Sequence, residues 1–159
     1  MDALLEDHAI RQGYAVLMRG HFEAGILPDH TYQWTFTPND HDEPAIVFPV
    51  YEKHRLVDLL TISQHDHRIW GCVTGAGQYV GNFSSVLQVH DTPDSWLAGD
   101  GVLPLAKAFF PLMQFASSIV ARNAEHAEII ANEAFIYHAE RFGFDIAAAE
   151  QTASERISF

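Results

Sequence analysis

The stretch that decides the fold is residues 45–74, AIVFPVYEKHRLVDLLTISQHDHRIWGCVT, in which three apolar runs are separated by two short polar connections. The connections are residues 52–54 and 64–68. Connections this short join antiparallel strands, whereas parallel strands need a crossover of a dozen residues or more. The stretch therefore predicts three consecutive strands paired as two hairpins. Pro49 marks an edge or a bulge in the first strand, because proline has no amide hydrogen to donate.

The chain before this stretch predicts a helix and one more strand. Residues 1–24 place apolar side chains such as Ile10, Tyr14 and Leu17 at helical spacing. Residues 31–36 alternate polar and aromatic side chains, which is typical of a strand with one wet face.

The chain after this stretch predicts short strands alternating with helical segments. Residues 86–89 and 94–97 predict a short strand and one helical turn after Pro93. Short apolar runs at 102–105 and 118–121 flank a helical segment, which suggests a small βαβ unit. Asn123 is a good cap for a long helix that reaches Phe142.

Together these elements predict an α+β fold for a single domain over residues 1–144. Its three- to four-stranded, mainly antiparallel sheet is a meander packed against the N-terminal helix and the long C-terminal helix. Residues 145–159 are rich in Ala, Glu, Ser and Thr and predict a weakly docked or frayed tail.

Charge and composition exclude several classes of function. The chain has 159 residues, 48% hydrophobic content and a net charge of −12, from 9 basic and 21 acidic residues. Such a surface repels phosphate, which argues against direct binding of nucleic acid and of anionic membranes. The acidic N-terminus does not resemble a signal peptide, and no apolar run is long enough to span a membrane. We therefore expect a cytoplasmic protein with a protein partner or a homo-oligomeric state.

The ten histidines supply the first candidate site, because many of them stand beside an acidic residue. The best cluster is His65-Asp66-His67. Imidazole and carboxylate are common ligands of transition metals, and residues two apart on a strand share a face. We expect the histidines of this turn to be solvated, with no cofactor bound. The alternative is a divalent metal ion held by these residues.

Two further features are candidate binding sites. Gly75, Gly77 and Gly81 follow a strand and could present loop amides to a small anion, although their spacing differs from the dinucleotide fingerprint and favours a turn or bulge. Trp96 lies in a polar setting and is the aromatic most suited to an interface. Cys72, the single cysteine, excludes an intrachain disulfide, and its apolar neighbours predict a buried, inert thiol.

Three segments carry a resemblance to a known group. They are residues 56–75, the Thr-Pro-Asp-Ser-Trp-Leu turn at 92–97 and the Gly-Val-Leu-Pro-Leu run at 101–105. This pattern resembles small uncharacterised proteins of bacterial prophage and mobile-element regions. The resemblance spans residues 45–135 and implies a bacterial, cytosolic accessory protein, with no functional residue to carry over.

Two hypotheses of function follow. The first is an accessory or interaction protein without enzymatic activity that self-associates through edge strands or the Trp96 region. The second is a metal-dependent hydrolase or phosphodiesterase that uses His65, Asp66 and His67.

Overall fold

The structure, a computed structural model, describes residues 15–27, 30–37 and 39–142, and for residues 136–142 it describes the backbone alone. Most of the elements are strands. In chain order they are β1 Val16–Ala24, β2 Tyr32–Thr35, β3 Glu43–Glu52, β4 Arg55–Ser63, β5 Trp70–Cys72, β6 Tyr79–Gly81, β7 Val86–Gln88, α1 Pro93–Ala98, β8 Val102–Pro104, a 3-10 helix Lys107–Phe115, β9 Ser118–Val120 and α2 Ala124–Phe142.

The first five strands form a closed barrel in the order β1-β2-β5-β4-β3. All neighbours are antiparallel except β2 and β5, which run parallel and pair at Gln33 and Cys72. β1 pairs with two strands: its residues 16–20 pair with β3, and its residues 21–24 pair with β2. Gly20 stands at the change of partner, and a Cβ there would lie 2.6 Å from the Trp34 ring. The bare backbone therefore lets Trp34 close over β1.

The β3–β4 hairpin ends in a two-residue turn at Lys53 and His54. Both residues have positive φ, 48° and 64°, as a type I′ turn requires. This turn matches the right-handed twist of the two strands, although neither residue is a glycine. A bulge between Val50 and Tyr51 shifts the register close to Pro49, which agrees with the predicted irregularity.

The core has two parts. The main cluster covers one face of β3, β4 and β5, where Ile46, Phe48, Leu60 and Ile62 are at most 5% exposed and contact residues of β6 and β8. The second cluster joins the remaining elements. Phe109 of the 3-10 helix lies at its centre, with Leu87, Val89, Val102 and Ile130 around it.

The predicted fold class is wrong. The two hairpins of residues 45–74 are present, but they belong to a closed mixed barrel rather than to an open meander covered by helices. Residues 16–24 form β1 and not the end of a helix, since pairing with two strands overrides the helical spacing. Residues 1–14 lie outside the described residues.

The predicted roles of the C-terminal elements are wrong as well. α2 packs on the 3-10 helix, with Ile130 in the second cluster, instead of covering the sheet. The βαβ unit is replaced by two separate two-stranded sheets, because β8 pairs with β6 and β9 pairs with β7. The turn at α1 agrees with its prediction, with Thr92 as the cap that accepts from the Ser95 amide. Residues 143–159 lie outside the described residues, so the domain limit at 144 and the tail stay predictions.

Candidate functional site

The predicted metal cluster lies in the turn between β4 and β5. His65 is exposed, whereas the carboxylate of Asp66 accepts two parallel hydrogen bonds from Arg68, Nε to Oδ1 and Nη2 to Oδ2, both 3.0 Å long. These hydrogen bonds lower the pKa of Asp66 below its ordinary value of 3.8. His67 Nδ1 lies 3.2 Å from Asp94 Oδ1, which ties the turn to α1.

The arrangement of this turn bears on the metal hypothesis. Asp66 and His67 are each engaged by a different neighbour, so ligation would require both contacts to be exchanged. Within residues 15–27, 30–37 and 39–142, no group of three or more His, Cys, Asp or Glu side chains is placed to hold a metal ion. The metal site and the hydrolase or phosphodiesterase hypothesis stay predictions.

The glycine loop after β5 binds a carboxylate of the chain itself. Asp58 of β4 is 3% exposed, and its Oδ1 accepts from the amides of Val73 and Thr74 at 3.0 and 2.8 Å. Its Oδ2 accepts from the Gly77 amide at 3.2 Å, and the Leu59 amide also donates to Oδ1 at 2.8 Å. The loop amides therefore already have an anionic partner. The signal in the sequence was an aspartate inside the apolar run of residues 56–60.

The glycines of this loop differ in what they allow. Gly75 has a φ of 74°, a left-handed conformation that favours glycine. Gly77 lies where a Cβ would come within 2.8 Å of the Val50 side chain, so its bare backbone permits the approach to Asp58. Gly81 lies apart from these amides, in β6, where it faces Gly101 and the indole of Trp96. The three glycines thus do not line one site, and binding of an external anion stays a prediction.

Trp96 and Cys72 both lie against the barrel. The Trp96 ring meets Phe48 edge-on at a centroid distance of 5.1 Å and is half-buried against the main cluster. Its predicted role at an interface stays untested. Cys72 is fully buried and free, as predicted, and burial together with the nearby Asp58 raises the pKa of its thiol far above the ordinary value.

His90 forms a contact that the sequence patterns did not indicate. Its ring is 4% exposed, with Nε2 2.7 Å from the carbonyl oxygen of Asp100 and Nδ1 2.6 Å from Ser95 Oγ. A carbonyl oxygen only accepts, so in the neutral ring Nε2 donates to it and Nδ1 accepts from the serine hydroxyl. The histidine thereby links α1 to the turn that follows it.

A further apolar surface lies around β9. This β9 surface consists of Val86, Phe115, Ile119 and Val120, which are 58%, 71%, 39% and 43% exposed. Val86 and Val120 lie on one face of the β7–β9 sheet, whereas Ile119 pairs with the buried Leu87 and lies on the other face, so the exposed apolar side chains flank the edge of β9 from both faces. Residues 108–121 carry no charged side chain, in contrast to the acidic chain as a whole. The surface is therefore apolar and electrically neutral.

The backbone of β9 is paired on one side within the described part of the chain. The Ser118 amide donates to Ser85 and the Val120 carbonyl accepts from Val89, so these two residues direct their backbone groups toward β7. Because successive residues of a strand alternate in direction, the amide and carbonyl of Ile119 lie on the outer edge. An edge of this kind can accept another strand.

The described fold is that of a small mixed β-barrel with two appended two-stranded sheets. No family model, no curated protein and no solved structure matches the chain. The resemblance to small prophage-associated proteins therefore stays a prediction. In the described residues, no helix has both the length and the apolar character needed to cross a membrane.

Proposed function

We propose that the chain is a cytoplasmic accessory or interaction protein without enzymatic activity, and that it self-associates through the β9 surface. The observation that carries this proposal is the outer edge of β9, which pairs with no strand of the described residues and coincides with exposed apolar side chains. Pairing of β9 with β9 of a second copy about a two-fold axis would join two β7–β9 sheets into one sheet of four strands.

The net charge of the chain predicts how salt changes the binding of a second copy. Each copy carries a net charge of −12, so two copies repel one another at long range. The run at residues 108–121 carries no charged side chain, so contact there adds no local like-charge repulsion. Salt screens the long-range repulsion, with a Debye length that falls from about 30 Å at 0.01 M to about 8 Å at 0.15 M. Self-association should therefore strengthen as salt increases, whereas binding of a basic partner would weaken.

Sedimentation equilibrium at several protein and salt concentrations tests the proposal. We expect a monomer–dimer equilibrium in the micromolar range, because a contact of three residues per strand is small. Val120→Lys should abolish the dimer by placing a charge in the apolar contact. Ile119→Pro should also abolish it, since it removes the outward amide and leaves the bonds of Ser118 and Val120 to β7 in place.

The control variant is Ile26→Lys, which makes the same change of charge at a loop residue of similar exposure, 53%. It should leave the equilibrium unchanged. A chain that stays monomeric at every concentration, or a dimer that Val120→Lys does not weaken, would contradict the proposal.

A further inference from the structure

A cavity of ≈ 140 Å³ lies at the start of the parallel pair β2–β5. It is lined by His30, Thr31, Tyr32, Arg68 and Trp70, none of which belongs to the β9 surface. Because β2 and β5 run parallel, the residues that precede and begin both strands meet at one edge of the barrel. A cavity of about 150 Å³ is large enough to hold one benzene molecule. The space therefore accommodates a single six-membered ring.

The charged group of the cavity with the most hydrogen-bond donors is the guanidinium of Arg68, beside the polar groups of His30, Thr31 and Tyr32. Its bidentate pair with Asp66 fixes its orientation and uses two of its five N–H donors. The remaining donors meet no other acceptor among the described residues and can donate to a ligand. The Arg68 side chain is 89% exposed, so it is reached from solvent. A planar guanidinium also stacks favourably on aromatic rings.

Aromatic side chains form the apolar part of the cavity. Trp70 is half-buried against the main cluster, and Tyr32 is held edge-on by Phe22 at a centroid distance of 6.0 Å. Both rings are therefore positioned by packing in the absence of a ligand. Such rings favour a flat apolar partner over a tetrahedral anion.

The charge around the cavity selects among flat ligands. Asp66 neutralises Arg68, and the chain as a whole carries −12, so a negatively charged ligand gains little. A cationic ligand would meet the Arg68 guanidinium. A neutral ligand with a carbonyl oxygen accepts hydrogen bonds from Arg68 and is repelled neither by the negative charge of the chain nor by the guanidinium.

We propose that this cavity binds a neutral six-membered aromatic ring that carries a carbonyl or carboxamide group. The ring lies against Trp70, and the carbonyl oxygen accepts from Arg68. The inference is independent of self-association through β9.

The test uses benzamide as the probe, with benzoate and benzylamine as isosteres of different charge. Binding is followed by NMR through the indole N–H of Trp70, assigned with Trp70→Phe, and the Nε–H of Arg68. We expect saturable shifts with a Kd in the millimolar range, as befits so small a ligand. Benzoate should bind several-fold more weakly, and benzylamine should produce no saturable shift.

Two variants and a control separate this role of Arg68 from a structural one. Arg68→Met removes the donors and should weaken benzamide at least about tenfold, while Arg55→Met, at an exposed arginine of β4, should leave it unchanged. Asp66→Asn leaves the charge of Arg68 unbalanced and should reverse the order, so that benzoate binds more tightly than benzamide.

Three results would overturn the inference. The first is an absence of saturable shifts for benzamide up to about 10 mM, a concentration well above a millimolar Kd. The second is equal binding to the Arg68→Met variant. The third is a wild-type preference for benzoate.

Discussion

Replacement of Asp58 provides the sharpest test of how the glycine loop is held. The carboxylate accepts hydrogen bonds from four backbone amides, those of Leu59, Val73, Thr74 and Gly77. In Asp58→Ala all four amides lose this partner. Thr74 is an exposed residue that water can reach, whereas Gly77 is buried and Val73 half-buried.

The structure sets the size of the expected effect. A buried donor left without an acceptor costs about 1–3 kcal/mol. Two such donors, at the buried Gly77 and the half-buried Val73, give a loss of about 2–6 kcal/mol in the free energy of unfolding for Asp58→Ala. Asp58→Asn keeps an acceptor at Oδ1 for three of the amides and turns an NH₂ group toward Gly77 alone. It should lose about 1–3 kcal/mol.

Urea unfolding followed by tryptophan fluorescence measures both losses, with hydrogen exchange of the Val73, Thr74 and Gly77 amides as the local readout. The matched control is Asp40→Asn, which makes the same charge change at an exposed residue and should stay within about 0.5 kcal/mol of wild type. A loss below about 1 kcal/mol for Asp58→Ala, or an Asp58→Asn variant no more stable than Asp58→Ala, would refute the reasoning.

Three further predictions concern the turns and the buried thiol. The double change Lys53→Asn and His54→Gly should raise the free energy of unfolding by about 1–2 kcal/mol, because Asn-Gly suits the positive φ of both residues; a chemical denaturation curve without a gain would argue against the type I′ turn. The thiol of Cys72 should stay unreactive toward iodoacetamide at pH 8 until the protein unfolds, and rapid labelling of the native protein would contradict its burial. The pKa of Asp66 should lie below 3.8 in an NMR titration and return toward 3.8 in Arg68→Met, and an unchanged pKa in the variant would show that Arg68 does not cause the shift. The stabilisation from this pair is present above pH 3.8 and is lost as the pH falls through the lowered pKa.

Local signals in the sequence predicted several parts of the structure. The short connections at residues 52–54 and 64–68 predicted the pairing of β3 with β4 and of β4 with β5, because the chain can close so short a turn only into a hairpin. Pro93 predicted the helical turn at α1 through its fixed φ, and the structure adds Thr92 as the cap. The apolar neighbours of Cys72 predicted its burial. Each of these signals acts within a few residues.

The candidate sites were harder to predict than these elements. The spacing of His65-Asp66-His67 predicts one cluster, but Arg68 engages Asp66 within the turn and Asp94, distant in sequence, contacts His67. The cavity joins residues 30–32 to Arg68 and Trp70, which lie far apart in the chain.

The sequence by itself determined the hairpins, the caps and the acidic surface, whereas only the tertiary structure decided that the sheet closes. Closure depends on β1 pairing with both β2 and β3 and on the parallel contact between Gln33 and Cys72. Residues 16–24 have side chains that suit either a helix or a strand, and the hydrogen bonds offered by two neighbouring strands select the strand. Pairings between distant segments leave no periodic pattern in either segment, because their stabilisation arises only once the chain has brought them together.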